Sequence, residues 1–536
     1  MHALLPRSAC AAVLVVCLAA CGSSDDDRGP SISHGDPHGR TVVAEAAGTG
    51  AESSRTLVGS SPVAVVAAAD DTSQAVGASA AVGMRVPMLT AVPGADGEVA
   101  DELHRLGVER VLRVGGATVP DGIAAVDAPG DRAGLEKVTG ITFHDETAHP
   151  ADFLDDATVH QVPEQPALLG VAGAAPLPSP GTPGDGEPLG TRSASWSGDD
   201  APSVLVSDTT PLAAVATAVA TGAKVSHLRA PDPRVDGGGV EAVSTDHPVV
   251  ALGPGWGSDE EFAAHVDTAR TQPQLPGGGQ LVFPGRRFVA AYGSPISPSL
   301  GILGEQGPAE SVARVQKLVE DYRPYSPEPV VPAFEIIGTV ASSDAGPDGN
   351  FTNEWGPEEY LPLVDAITAA GGYAVIDLQP GLADMLDQAR PFAELLKRPN
   401  VGLALDSEWK MKPGQKPAAQ IGTADAEEIN KVVTWLADLT RDSGGPQKLL
   451  ILHQFNLSMI TNRDRIDLSR PELAVSLHAD GHGTPDLKMG TWDRLREGLD
   501  PRIWPAWKNF YDEDTPTFTP QQTMDVRPRP WFVSYQ

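Results

Sequence analysis

Between Arg287 and the C-terminus, short apolar runs recur eight times, at 288–292, 331–336, 373–378, 401–406, 448–453, 473–478, 507–511 and 531–535. Segments with helix-forming composition, at 310–322, 360–370, 385–397 and 426–440, occupy gaps between them. Runs apolar along their whole length suit strands buried on both faces, as in a parallel sheet covered by helices. Eight such units in about 250 residues match the usual size of a (β/α)8 barrel. Residues 280–536 are therefore expected to form a TIM-barrel-like domain. The seventh and eighth runs are aromatic where the others are aliphatic.

In such a barrel the C-terminal strand ends converge on one mouth, where barrel enzymes carry their chemistry. The ends of these runs are polar. Glu335 closes the second, Asp377 and Gln379 the third, and Asp406 and Glu408 the fourth. His453 and Gln454 close the fifth, His478, Asp480 and His482 the sixth, and Asp512-Glu513-Asp514 the seventh. One carboxylate at a strand end commonly caps the next helix, whereas acids or imidazoles at successive ends point to a shared site.

Asp406 and Glu408 are two apart and share a face in an extended chain, with Trp409 beside them as a platform for a sugar ring. Glycoside hydrolysis needs a proton donor and a second carboxylate acting as nucleophile or base. Glu335, Asp377, Asp406, Glu408 and Asp512 are the catalytic candidates, with Glu408 as donor and Asp512 or Glu335 opposite. Tyr292, Trp409, His453, Gln454, His478 and Asp480 are the expected substrate-binding residues. Neither cofactor nor metal is expected. The alternative is a metal triplet at His478, Asp480 and His482, whose side chains suit zinc or similar ions if the strand continues through Gly481 and Gly483.

The N-terminal half repeats an order of strand, Ala-rich helix and strand, first over 62–116 and again over 203–255. That alternation implies parallel βα units and an internal repeat. The expected fold class is thus α/β, a parallel βα domain (repeat or Rossmann-like) over 59–272 followed by the barrel. No G-x-G-x-x-G follows a strand, so a dinucleotide site is not supported. The Pro- and Gly-rich stretch 176–202 reads as an inserted loop, and 272–279 as the main domain boundary.

Val86-Pro87-Met88-Leu89-Thr90, and Leu103-His104-Arg105-Leu106-Gly107 running on to Gly115-Gly116, resemble the cell wall-binding repeat 2 family over about 60–255. The resemblance implies a wall-associated α/β module, against the alternative of a generic Rossmann-like domain. Residues from about 285 to 536 are similar to a group of uncharacterised exported actinobacterial proteins with glycosidase-like barrels. Ser299-Leu300-Gly301-Ile302-Leu303-Gly304-Glu305, Leu403-Ala404-Leu405-Asp406-Ser407-Glu408-Trp409, Leu452-His453-Gln454-Phe455 and Tyr511-Asp512-Glu513-Asp514-Thr515-Pro516 carry that similarity. It implies a fold and a cellular neighbourhood without naming a reaction. A composition rich in Ala, Gly, Pro, Asp and Val and poor in Lys fits the same high-GC origin.

At the start of the chain, Arg7 precedes an apolar run over 11–20, the pattern of a secretory signal. Its end, Leu18-Ala19-Ala20-Cys21, resembles the lipobox of bacterial lipoproteins. The resemblance implies removal of 1–20, lipidation (palmitate included) at Cys21, and placement on the outer face of the cell membrane. Residues 21–58 are expected to be a disordered tether. Cys10 and Cys17 would leave with the signal, so no disulfide framework or Cys-based zinc site is expected. A net charge of -32 argues against nucleic acid or anionic phospholipid as the main partner.

The expected function is a lipid-anchored hydrolase, glycosidase-like, acting on cell-wall polysaccharide or another envelope glycan. The alternatives are a non-catalytic glycan-binding lipoprotein with a degenerate barrel, and a metal-dependent hydrolase using His478, Asp480 and His482.

Overall fold

A computed structural model describes residues 32–148, 166–171, 187–193, 196 and 198–536. The signal, Cys21, the first part of the tether and most of the insertion at 176–202 lie outside the described residues. No helix among the described residues is long and apolar enough to cross a membrane.

The N-terminal half is built on two four-stranded parallel sheets. In the first, the lateral order is Met88–Ala91, Val63–Ala68, Arg110–Val114, Ala124–Asp127. In the second it is Lys224–Leu228, Ser203–Ser207, Val249–Leu252, Arg40–Val43. The three repeat strands of each sheet therefore run second, first, third in chain order, and one further strand, Ala124–Asp127 in the first sheet and the earlier Arg40–Val43 in the second, pairs beside the third. The internal repeat survives in topology even where its wording has faded.

Alanine and glycine set how closely these layers approach. The helix Asp71–Met84 is capped by Asp70, whose carboxylate accepts from the Ser73 amide. It packs against the helix Leu212–Ala220, and Ala213 and Ala216 join the core of the first sheet. A Cβ at Gly77 would lie 2.9 Å from the Ala67 Cβ and 3.0 Å from the Met88 Cε. A larger residue there would force the helix off the sheet.

Residues 32–58, expected as tether, are folded. Arg40–Val43 pairs with Val249–Leu252, and the helix Ala51–Leu57 buries Ala51 and Leu57 completely. Glu45 is buried beside that helix and accepts from the amides of Gly50 and Ser53. Val43, Leu57 and Val58 find a core to enter, and apolar burial is what a solvated tether lacks.

The C-terminal half is a closed parallel barrel. Its strands are β1 (Arg287–Gly293), β2 (Val330–Ala341), β3 (Tyr373–Leu378), β4 (Val401–Asp406), β5 (Lys448–Gln454), β6 (Leu473–Ala479), β7 (Trp504–Asn509) and β8 (Phe532–Tyr535). Each pairs with its neighbour in parallel, and β1 closes the ring by pairing with both β2 and β8. Successive side chains on a strand face opposite sides, and two cores result. Phe288, Ala290, Ala333, Tyr373, Val375, Ala404, Ile451, Ala506 and Phe532 fill the interior. Val289, Ala291, Phe334, Ile336, Ile376, Leu403 and Leu450 pack outward with the helices.

Arg286 fixes the boundary at the barrel floor. It is fully buried, and its guanidinium donates to the carbonyls of Pro276, Gly278, Leu281 and Val282. Two of these acceptors, on Pro276 and Gly278, hold the 272–279 segment against the barrel, although burial pulls the guanidinium pKa down to about 10. Lys448, at the start of β5, is also buried and donates to the carbonyls of Arg398 at 3.0 Å and Val401 at 2.8 Å. Burial brings its pKa down from 10.5 to about 7.

The folded chain thus releases the Lys448 proton near neutrality, while the unfolded chain keeps it to about pH 10.4. Between those values the unfolded state binds more protons, so stability rises with pH. In urea unfolding, the wild type should gain on Lys448→Met by a few kcal/mol from pH 7 to 10, at about 1.4 kcal/mol per pKa unit. A flat difference across that range would contradict this account of Lys448.

Candidate active site at the barrel mouth

The upper interior layer of the barrel is polar. Two or four residues beyond the apolar interior positions, every strand supplies one group: Tyr292, Glu335, Asp377, Asp406, His453, His478, Lys508 and Ser534. All eight are buried. The period-2 alternation that fills the lower barrel with Ala, Val and Phe carries these groups inward at the C-terminal ends.

His453 stands at the centre of this layer. Its Nδ1 lies 2.9 Å from Asp480 Oδ2 and its Nε2 lies 2.9 Å from Glu335 Oε1. Asp377 Oδ1 is 3.9 Å from the same Nε2, and the Tyr292 hydroxyl donates to Asp377 Oδ2 at 2.9 Å. His478 Nε2 is 3.1 Å from Ser534 Oγ, and its Nδ1 is 3.6 Å from Glu335 Oε1. The Lys508 ammonium sits 3.5 Å from the centre of the Tyr292 ring. Glu335 Oε2, Asp377 Oδ1, His478 Nδ1 and Asp480 Oδ1 are buried without a hydrogen-bond partner.

Above this layer opens a cavity of about 470 Å³, walled in part by Tyr292, Gln379, Asp406, Glu408, Trp409, Phe455, Asp480, His482, Lys508 and Phe510. Asp406 Oδ1 accepts from the Glu408 amide at 3.1 Å and so caps the turn Ser407–Trp409. That cap sets Glu408 and Trp409 on the cavity wall.

Crowding separates the protonation behaviour of these acids. Burial and then Asp480 push Glu408 up to about 7. Burial drives Asp406 well above the usual carboxylate range and raises Asp377 as well. Burial would raise Glu335 too, but His478 and His453 outweigh it and hold that carboxyl at about 2. For His453 burial alone would lower the pKa, yet Asp377 and Glu335 raise it well above the ordinary value. His478 is pulled down to about 4 by burial.

The structure places Glu335, Asp377, Asp406, Glu408, Tyr292, Trp409, His453, His478 and Asp480 together in or directly beneath the cavity. Asp512 is elsewhere. It is exposed on a turn beyond β7 and absent from the cavity wall, so it is not the counterpart of Glu408. Gln454 turns away and bonds the Asn456 carbonyl and Arg463, holding a loop. Trp492 is buried against Trp507. Lys508 and Ser534 are site residues that the strand-end pattern missed.

Two groups among the described residues have metal-ligand spacing, Glu335 with His453 and His478, and Asp406 with His453 and Asp480. The expected triplet of His478, Asp480 and His482 does not assemble. His482 is exposed beyond the end of β6, where its ring meets Phe510.

No family model matches the chain, and no curated protein matches it. Among solved structures, Cwp6 from Clostridium difficile is similar at 14% identity and a TM-score of 0.31, over 58% of this chain and 64% of that one. The chain thus spans less than two thirds of that neighbour's length.

The loops around the mouth are held by one buried cation. Lys488 Nζ donates to Asp514 Oδ2 at 2.8 Å, to the Lys508 carbonyl at 2.7 Å and to the Gly481 carbonyl at 3.2 Å. Removing one partner of a buried pair costs about 3–5 kcal/mol. Lys488→Met should lose that much in chemical denaturation, and adding Asp514→Asn should recover part of it. Additive losses in the double variant would show that the pair is not coupled.

Proposed function

We propose that this chain is an exported, lipid-anchored hydrolase that cleaves glycosidic bonds in an envelope saccharide. The observation that carries the reading is Glu408, a cavity-wall carboxyl whose pKa is pushed up to about 7. A carboxyl that keeps its proton near neutral pH is suited to protonate a leaving oxygen. Asp480 lines the same cavity, and its carboxylate, with the buried Oδ1 unpartnered, would act through its charge on the positive charge that develops at an anomeric carbon. Trp409, Phe455 and Phe510 on the wall offer flat apolar surfaces to sugar rings. The outward address rests on the lipobox-like ending at Cys21.

In this reading Asp406 positions Glu408 through the turn it caps and does not touch the substrate's reacting atoms. Glu408 gives its proton to the leaving oxygen as the glycosidic bond breaks. Water adds to the anomeric carbon, and its released proton returns to Glu408.

Glu408→Gln should lower reducing-sugar release from purified wall polysaccharide by about 10²–10⁴-fold, with circular dichroism unchanged. Wild-type turnover should fall as pH rises through about 7, because the donor is then ionised. The residual activity of the variant should lack that limb. Equal turnover in the two proteins, or binding of the polymer with no release by the wild type, would refute the assignment.

A further inference from the structure

Beneath the cavity, Glu335 on β2, His453 on β5 and His478 on β6 are fully buried, with donor atoms all within 4.8 Å of one another. Their outer contacts orient them. Asp480 Oδ2 takes the Nδ1 side of His453 at 2.9 Å, and Ser534 Oγ takes the Nε2 side of His478 at 3.1 Å. His453 Nε2 and His478 Nδ1 face Glu335 Oε1 from 2.9 and 3.6 Å, and a cation that displaces the proton shared between His453 and Glu335 meets lone pairs on both nitrogens.

His478 Nδ1 and Glu335 Oε2 have no hydrogen-bond partner, and neither has Asp377 Oδ1, 3.9 Å from His453 Nε2. Buried polar atoms are nearly always satisfied, so unpartnered acceptors within this cluster call for a cation. Donors around tetrahedral zinc, each at about 2.0–2.1 Å, stand roughly 3.4 Å apart, close to the two donor separations to Glu335. A carboxylate or hydroxyl on the far nitrogen of a ligating histidine is the usual outer support of such a site.

We propose that Glu335, His453 and His478 form a buried site for a divalent cation of the zinc class. The ion ties β2, β5 and β6 together under the cavity floor. It is a buried site, because none of its three side chains lies on the cavity wall. The proposal stands apart from the hydrolase reading and is tested without any substrate.

The test uses the full chain, stripped with chelator, loaded with zinc chloride and desalted before elemental analysis. One equivalent of zinc should remain, and the melting temperature should rise by about 4 °C or more, since binding to the folded state alone stabilises it. His478→Asn should retain under about a tenth of an equivalent, and His482→Ala should retain as much as the wild type. Cobalt loaded into the wild type should give visible bands of a protein-bound ion that excess zinc abolishes, a readout that no variant's folding can confuse. Failure of the wild type to retain zinc, full retention by His478→Asn, or loss in His482→Ala would overturn the proposal.

Discussion

The imidazole of His453 is the contact on which the barrel mouth depends. Glu335, Asp377, Asp406 and Asp480 occupy a space from which most water is excluded, with Glu408 at its edge. Isolated charges there would be prohibitive. Bonded on one side to Asp480 and on the other to Glu335, the ring links two carboxylates and lies near a third. Lys508 brings the other nearby positive charge. The acids outnumber the cations, and burial pushes up the pKa of Asp406, Asp377 and Glu408, most strongly at Asp406, so that protons offset part of the imbalance. The hydrolase reading and the cation site are two consequences of that shortage of positive charge.

The lower barrel makes the shortage possible. Alanine, valine and phenylalanine fill the interior up to the level of Ala290, Ala333 and Ile451, an apolar floor that offers the layer above no polar partner. The ring is closed between its first and last strands, so no sheet edge lets solvent in from the side. Above the polar layer the Lys488–Asp514 pair fastens the loops after β6 and β7. Chemistry at the mouth therefore sits between an apolar floor and a pinned rim.

Much of this was legible in the sequence because strand periodicity is a local signal. Strands β3 and β4 lie where their apolar runs end, and β1, β2, β5, β6 and β8 within a few residues of expectation. The seventh run misled. Trp507, Phe510 and Tyr511 drew the expected strand three residues late, which put Asp512 at its end and hid Lys508. In the structure β7 begins at Trp504 and ends at Asn509, making Lys508 the inward group. Ser534 was invisible for a different reason, since a serine in an aromatic run carries no charge signal. The pairing of His453 with Glu335 spans 118 positions in the chain. Only closure of the ring brings them together, and no local pattern records it.

Folding of the stretch before residue 59 has a consequence for how the N-terminal half can be divided. Arg40–Val43 enters the second sheet before any strand of the first sheet has appeared in the chain. The first sheet is thus an insertion between pieces of the second, much as a bead is threaded on a loop. A recombinant fragment cut at the apparent start of the repeat would leave Val249–Leu252 with a bare flank open to foreign strands. The chain therefore offers no cut before the first sheet that leaves the second sheet whole.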